Sequence, residues 1–177
     1  MNKVAGRILL VLLVILATVA VDQVSKKIAR DNLRSRGAVF VLGDVFILRY
    51  IENEGAFLGM GASFPAPVKT AVFIAFPLLM LVGLLVFIVR SREVNLALTL
   101  GLSLITAGGA GNLIDRILWH GRVSDFMNLG IGNLRTGIFN VADLAIVVGF
   151  SLIIVVELAS KKRAGPGPGV GDKIDNK

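Results

Sequence analysis

Residues 135–157 read RTGIFNVADLAIVVGFSLIIVVE, and the fold turns on this stretch. Arg135 and Glu157 enclose 21 residues with a single charge among them, Asp143. A helix rising 1.5 Å per residue needs about 20 residues to cross a hydrocarbon core of ~30 Å. The stretch therefore reads as a membrane span with an aspartate near its start. Upstream lie three more apolar runs: 21 uncharged residues from Val94 to Ile114, 20 from Thr70 to Val89 containing Pro77 and Gly83, and 14 from Ile8 to Val21. The last, with Lys3 and Arg7 before it and Thr18-Val19-Ala20 at its end, also fits a cleaved secretory signal. The three later spans favour a retained first helix that doubles as the insertion signal. That helix can lengthen through Val24 and Ile28, with Lys26, Lys27 and Arg30 snorkelling at the surface. The expected spans are about 6–26, 68–90, 94–115 and 138–159.

Composition agrees. Of the 177 residues 55% are hydrophobic and 18% charged, with a mean hydropathy of +0.79, whereas a soluble domain carries about 25% charged residues. The absence of cysteine excludes disulfides, thiol nucleophiles and thiolate metal sites, and a single histidine, His120, excludes a multi-histidine metal centre. No metal or cofactor is expected. The net charge of +7 does not indicate a nucleic-acid partner, because the basic residues punctuate apolar runs rather than sharing a polar face. Four spans put both termini on one side. The face with the termini carries nine Lys/Arg and the other ten, so density decides: Arg90 and Arg92 in a short turn, and Lys161-Lys162-Arg163 directly after the last span, favour cytoplasmic termini. Outside, within a β-region at about 37–66, Val39 to Leu42 and Val45 to Ile51 flank Gly43-Asp44 as two short strands, a small sheet at the membrane surface. Residues 1–163 form one membrane domain, and the Gly/Pro-rich residues 164–177 are expected to be a disordered tail.

An ionisable residue within a span costs roughly 2.5–3.5 kcal/mol on insertion scales, which makes it a functional candidate. Asn140 and Asp143, three apart, share a helix face. Either could simply cap the helix, but a cap explains one polar residue more easily than a pair. Gly108, Asn112 and Arg116 form a stripe at spacing four along the third span. That stripe is compatible with packing glycines and an interfacial Asp115-Arg116 pair, or with close approach by a substrate chain. Asp125, between Val123 and Phe126 in the following loop, is on the same side as Asp143. Two carboxylates in a low-dielectric site hold a proton between them, so one can deprotonate water while the other donates to a carbonyl oxygen. The pair titrates as a unit. This is peptide hydrolysis without Cys, His or metal.

The residues resemble those of the lipoprotein signal peptidase (signal peptidase II) family of membrane aspartic proteases. The resemblance is carried by Asp22-Gln23-Val24-Ser25-Lys26, Asn53-Glu54-Gly55-Ala56-Phe57, GGAGNLIDR at 108–116, Val123-Ser124-Asp125-Phe126 and Phe139-Asn140-Val141-Ala142-Asp143. It implies a catalytic dyad of Asp125 and Asp143, with Asp22, Asn53, Gly108, Asn112, Arg116 and Asn140 supporting the site or touching substrate. It further implies a bacterial inner-membrane enzyme, monomeric, surrounded by membrane lipid and inhibited by the cyclic peptide globomycin. Its substrate would be a diacylglyceryl-modified prolipoprotein, cut before the lipidated cysteine near the outer leaflet. Two departures stand out. The family usually has two alanines before the outer-loop phenylalanine, where this chain has only Ala56, and Asn128 stands where a further acid is common. Two rivals remain: a small channel, transporter subunit or scaffold with an Asp143/Arg116 intramembrane pair, and a Ser/Lys peptidase built on Ser25-Lys26 or Ser124.

Overall fold

The structure, a computed structural model, describes residues 3–55, 59–91 and 94–164. The Ala56-Phe57 part of the outer-loop motif, Arg92 and the tail from Gly165 lie outside the described residues. Four helical stretches are long and apolar enough to cross a membrane: Val4–Leu33, Ala66–Arg90, Leu96–Leu118 and Val141–Ser160. Their outer surfaces expose Leu13, Leu16, Leu79, Val147 and Val155, as lipid-facing helices do.

Helix α1 (Lys3–Leu33) is longer than a span of 6–26 requires. At 1.5 Å per residue its 31 residues reach about 46 Å, more than a ~30 Å hydrocarbon core needs, and its last turns rest on the sheet. The second span has three segments. Helix α2 (Ala66–Thr70) starts behind Pro65, a π-helical turn follows at Ala71–Ala75, and α3 (Phe76–Arg90) completes the crossing. Pro77 has no N–H to bond four residues back, and the wider turn absorbs that break. At the opposite end Arg7 donates to the carbonyls of Ile88 and Ser91, tying α1 to the end of α3.

Helix α4 (Leu96–Leu118) is capped by Asn95, whose side chain accepts from the Leu98 N–H. Thr99, Ser103 and Thr106 are buried and return their hydroxyl protons to carbonyls four residues back, so none is stranded in the apolar interior. Helix α5 (Val141–Ala164) packs along α4 more closely than any other pair. Small residues permit this: Gly101 and Gly108 on α4 meet Gly149 and Ala142 on α5, each pair two turns apart. A Cβ on Gly149 would stand 2.6 Å from the Gly101 carbonyl oxygen.

The sheet has four antiparallel strands, not two. Strands β1 (Val39–Leu42) and β2 (Phe46–Asn53) match the expected hairpin, but the segment after α4, read as a loop, supplies β3 (Val123–Ile131) and β4 (Leu134–Arg135), in the order β1-β2-β3-β4. Strand β3 is hidden in the sequence because Ser124, Asp125 and Asn128 are polar yet buried, which breaks the alternation that marks a strand. Register sets Asn53 opposite Val123 and Ile51 opposite Asp125. Asn53 and Asp125 are therefore diagonal neighbours on one face, within side-chain reach.

Candidate active site

The first turn of a helix leaves N–H groups unpaired, and α5 fills this need from its own sequence. Asn140 Oδ1 accepts from the Asp143 N–H (2.9 Å), and Asp143 Oδ2 accepts from the Asn140 N–H (3.1 Å). Both are therefore caps, reciprocally, as in a capping box. Their remaining atoms turn outward. Asn140 Nδ2 donates to Asp125 Oδ1 (2.7 Å) and to Asn112 Oδ1 (3.0 Å). Asn112 Nδ2 donates to Asp143 Oδ1 (2.8 Å). The cap and the polar cluster are the same atoms.

Asp125 is 2% exposed on β3. Its second oxygen accepts from Asn53 Nδ2 (3.0 Å), and Asn53 Oδ1 takes the Gly55 N–H (3.0 Å), so that amide is orientated too. Burial pushes the Asp125 carboxyl up to about 6, and the nearby Asp143 charge adds to the rise; the bonds from Asn53 and Asn140 and the Lys26 charge oppose it. Asn140 thus donates to both acids, to Asp125 through its side-chain NH2 and to Asp143 through its backbone N–H.

Behind this pair lies a buried ionic cluster. Lys26 is 1% exposed, not snorkelling: Nζ lies 2.9 Å from Asp22 Oδ2 and 3.4 Å from Asp115 Oδ2, and donates to Asn112 Oδ1 (3.0 Å). Snorkelling assumes that water is the nearest partner; here two buried acids are nearer. Gln23 bridges the same acids, donating to Asp22 Oδ2 (3.1 Å) and Asp115 Oδ1 (3.0 Å). The acids also grip the backbone. Asp22 Oδ1 accepts from the Ala142 N–H (2.8 Å), next to Asp143, and Asp115 Oδ2 accepts from the Ser124 N–H (2.8 Å), next to Asp125. One cluster thus fixes the chain beside both aspartates. Read from the sequence, Asp115 falls only in an interfacial pair with Arg116, and Lys26 only at the surface or in a Ser/Lys pair, not in a cluster behind the aspartates. The i,i+4 spacing of Asp22 and Lys26 was the available signal.

The remaining candidates separate. Arg116 does not pair with Asp115 at the interface; its Nη2 donates to the Gly55 carbonyl (3.0 Å) and its guanidinium lies 5.6 Å from the Phe73 ring, which the π-helical turn presents. Its buried Nε has no partner among the described residues. Gly108 is buried in the helix crossing, where a Cβ would collide with the Ala142 carbonyl. It does not line the cavity. That cavity, of about 600 Å³, is lined by Asn53, Asn112, Arg116, Asp125 and Asp143 together with apolar residues that include Ile138, Leu144, Ile146 and Val147. His120 is exposed at the end of α4 and is not part of the wall. Among the described residues no three His, Cys, Asp or Glu side chains converge as a metal site would need.

The family model described as Signal peptidase (SPase) II matches residues 14–159. The chain belongs to the signal peptidase II family. As a member it is a peptidase, and its four spans make it a multi-pass membrane protein. Curated relatives agree: the lipoprotein signal peptidase of Chlorobium luteolum is 37% identical over 79% of this chain and 86% of its own length. That of Borrelia hermsii is 32% identical over 92% and 95%, and that of Clostridioides difficile 34% identical over 88% and 100%. A bacterial membrane enzyme structure determined in meso at 2.3 Å superposes with a TM-score of 0.76 at 28% identity, covering 90% of this chain and 93% of that one.

Proposed function

We propose that this peptidase removes the signal peptide from diacylglyceryl-modified prolipoproteins, cutting before the lipidated cysteine with water activated between Asp125 and Asp143. One observation carries the reading: Asn140 and Asn112 join both carboxylates at the wall of a cavity that apolar residues also line. One carboxylate, ionised, takes a proton from the attacking water. The other, protonated, donates to the scissile carbonyl oxygen, and the pair exchanges these roles when the amine leaves. Asn53, Asn112 and Asn140 hold the carboxylates without competing as acids or bases. Arg116, which lines the cavity, is suited to hold a substrate backbone carbonyl, and the apolar lining suits the lipid-modified end of the cleavage segment. With both termini in the cytoplasm, the site lies near the outer leaflet of the bacterial inner membrane, where an anchored precursor meets it without extraction. Globomycin is expected to compete for the same cavity.

The rival readings lack support in the geometry. Arg116 donates to a backbone carbonyl rather than forming an ion pair with Asp143. Ser25 Oγ is bound to the Asp22 carbonyl while Lys26 is held by acids, and Ser124 Oγ accepts from Arg30. The test is a gel-shift cleavage assay on purified lipidated prolipoprotein, with mass spectrometry of the new N-terminus. Asp125→Asn and Asp143→Asn are each expected to insert normally and abolish cleavage. Processing at the wild-type rate by either one rejects the dyad.

A further inference from the structure

We propose that Lys26 is a positioning residue for the reacting pair, acting through the side-chain amide of Asn112. The proposal rests on the reading of Asp125 and Asp143 as the dyad. An ammonium has three protons to give, and Lys26 Nζ has three acceptors: Asp22 at 2.9 Å, Asn112 at 3.0 Å and Asp115 at 3.4 Å. Two of these contacts are to the buried acids Asp22 and Asp115. The third goes to the amide that touches Asp143.

The consequence for Asn112 is a single allowed orientation. Its oxygen accepts from the Lys26 ammonium and from Asn140 Nδ2 (3.0 Å). Turned over, its NH2 would face two donors. The amide nitrogen must therefore face Asp143 Oδ1, where it donates at 2.8 Å. A charge-assisted bond to the amide oxygen polarises the amide and strengthens the donor at its other end. In this way a lysine that does not line the cavity fixes the orientation of the Asp143 carboxylate through Asn112.

The sign of the effect follows from the charges around Lys26: Asp22 on α1, Asp115 and Arg116 on α4, Asp125 on β3 and Asp143 on α5. Hydrolysis needs the pair with one proton. A cation lowers both proton-loss steps of such a pair, so removing it moves both limbs of the pH profile to higher pH. A residue that only holds the fold together lowers the amount of active enzyme and leaves the limbs in place.

The experiment is cleavage of a lipidated prolipoprotein by the full chain in lipid-detergent micelles, with kcat and KM followed from pH 5 to 9 and the folded fraction measured alongside. Lys26→Met is expected to lower kcat per folded molecule at least tenfold with KM within twofold, and to move the acidic limb up by about one pH unit. Lys26→Arg, which keeps the cation, is expected to retain the wild-type limbs. Where these variants do not accumulate, Lys26→Met/Asp22→Asn, which strands no additional acid, is expected to show the same upward shift at smaller size. Wild-type limbs in the neutral variants overturn the proposal, whatever the fall in kcat. Asp125→Asn and Asp143→Asn are assayed in parallel: if they still cleave, the dyad reading fails, whereas if they are dead and the Lys26 limbs do not move, only this inference fails.

Discussion

Asn140 joins folding to chemistry, and two substitutions separate the contributions. Its side chain makes three bonds: the oxygen caps α5 through the Asp143 N–H, and the NH2 serves Asp125 and Asn112. Asn140→Ala removes all three. Loss of the cap costs about 1 kcal/mol of stability. Loss of a bond to an ionised carboxylate is worth about 1.5–3 kcal/mol, and at 1.36 kcal/mol per unit this raises the Asp125 carboxyl by about one to two units. That carboxyl already lies near 6 because of burial. Asn140→Ser keeps an oxygen for the Asp143 N–H but has no NH2. The serine variant is therefore expected to recover the cap, about 1 kcal/mol of the stability, and none of the bond to Asp125. The assay pairs thermal unfolding in detergent with kcat/KM from pH 5 to 9 on lipidated prolipoprotein. Both variants should show the acidic limb displaced upward, with alanine the less stable of the two. An acidic limb at the wild-type position in both would refute the claim that Asn140 restrains the Asp125 proton.

Stability should also report on Asp125 directly. Its folded value, about 6, lies above its ordinary 3.8, so the folded state binds this proton more tightly than the unfolded state. The resulting stabilisation is complete below pH 3.8 and is lost as pH rises through 6. The stability of wild type relative to Asp125→Asn is expected to fall by about 2–3 kcal/mol between pH 3.5 and 7, read from denaturation curves at fixed ionic strength; a flat difference contradicts the assignment. In the helix crossing, Gly108→Val is expected to destabilise by about 1–3 kcal/mol, because its side chain must displace the Ala142 carbonyl. Gly83→Ala, on α3 with open space around the new methyl, should be neutral or stabilising by about 0.5–1 kcal/mol. Melting temperatures of the two variants check the contrast.

The spans were legible because lipid imposes length and apolarity on any crossing helix. Asp143 was legible because a lone acid in such a run needs a reason. Asn140 followed from helix spacing, and the four-residue stripe brought in Asn112. The stripe concealed a division of labour, however. Gly108 admits α5, Asn112 binds Asp143, and Arg116 reaches the Gly55 carbonyl. One periodicity cannot distinguish three partners that come from three other elements. Strand β3 was hidden because the polar groups it buries are satisfied by neighbours distant in sequence, such as Arg30 for Ser124 and Asn53 for Asp125. Lys26 was hidden for a related reason. A lysine after an apolar run is usually drawn to water, and only the fold brings Asp115 to it from α4.

The central claim is that Asp125 and Asp143 act as one unit around one water. Its most direct test is the single-turnover cleavage rate of Asp125→Asn, Asp143→Asn and the double variant, on the same lipidated prolipoprotein at saturating enzyme. Residues that work as a unit are non-additive: removing the second costs little once the first is gone. The account predicts that the three variants share one residual rate within a few-fold, with the substrate still bound. A double variant slower than either single by the product of their separate losses would contradict it.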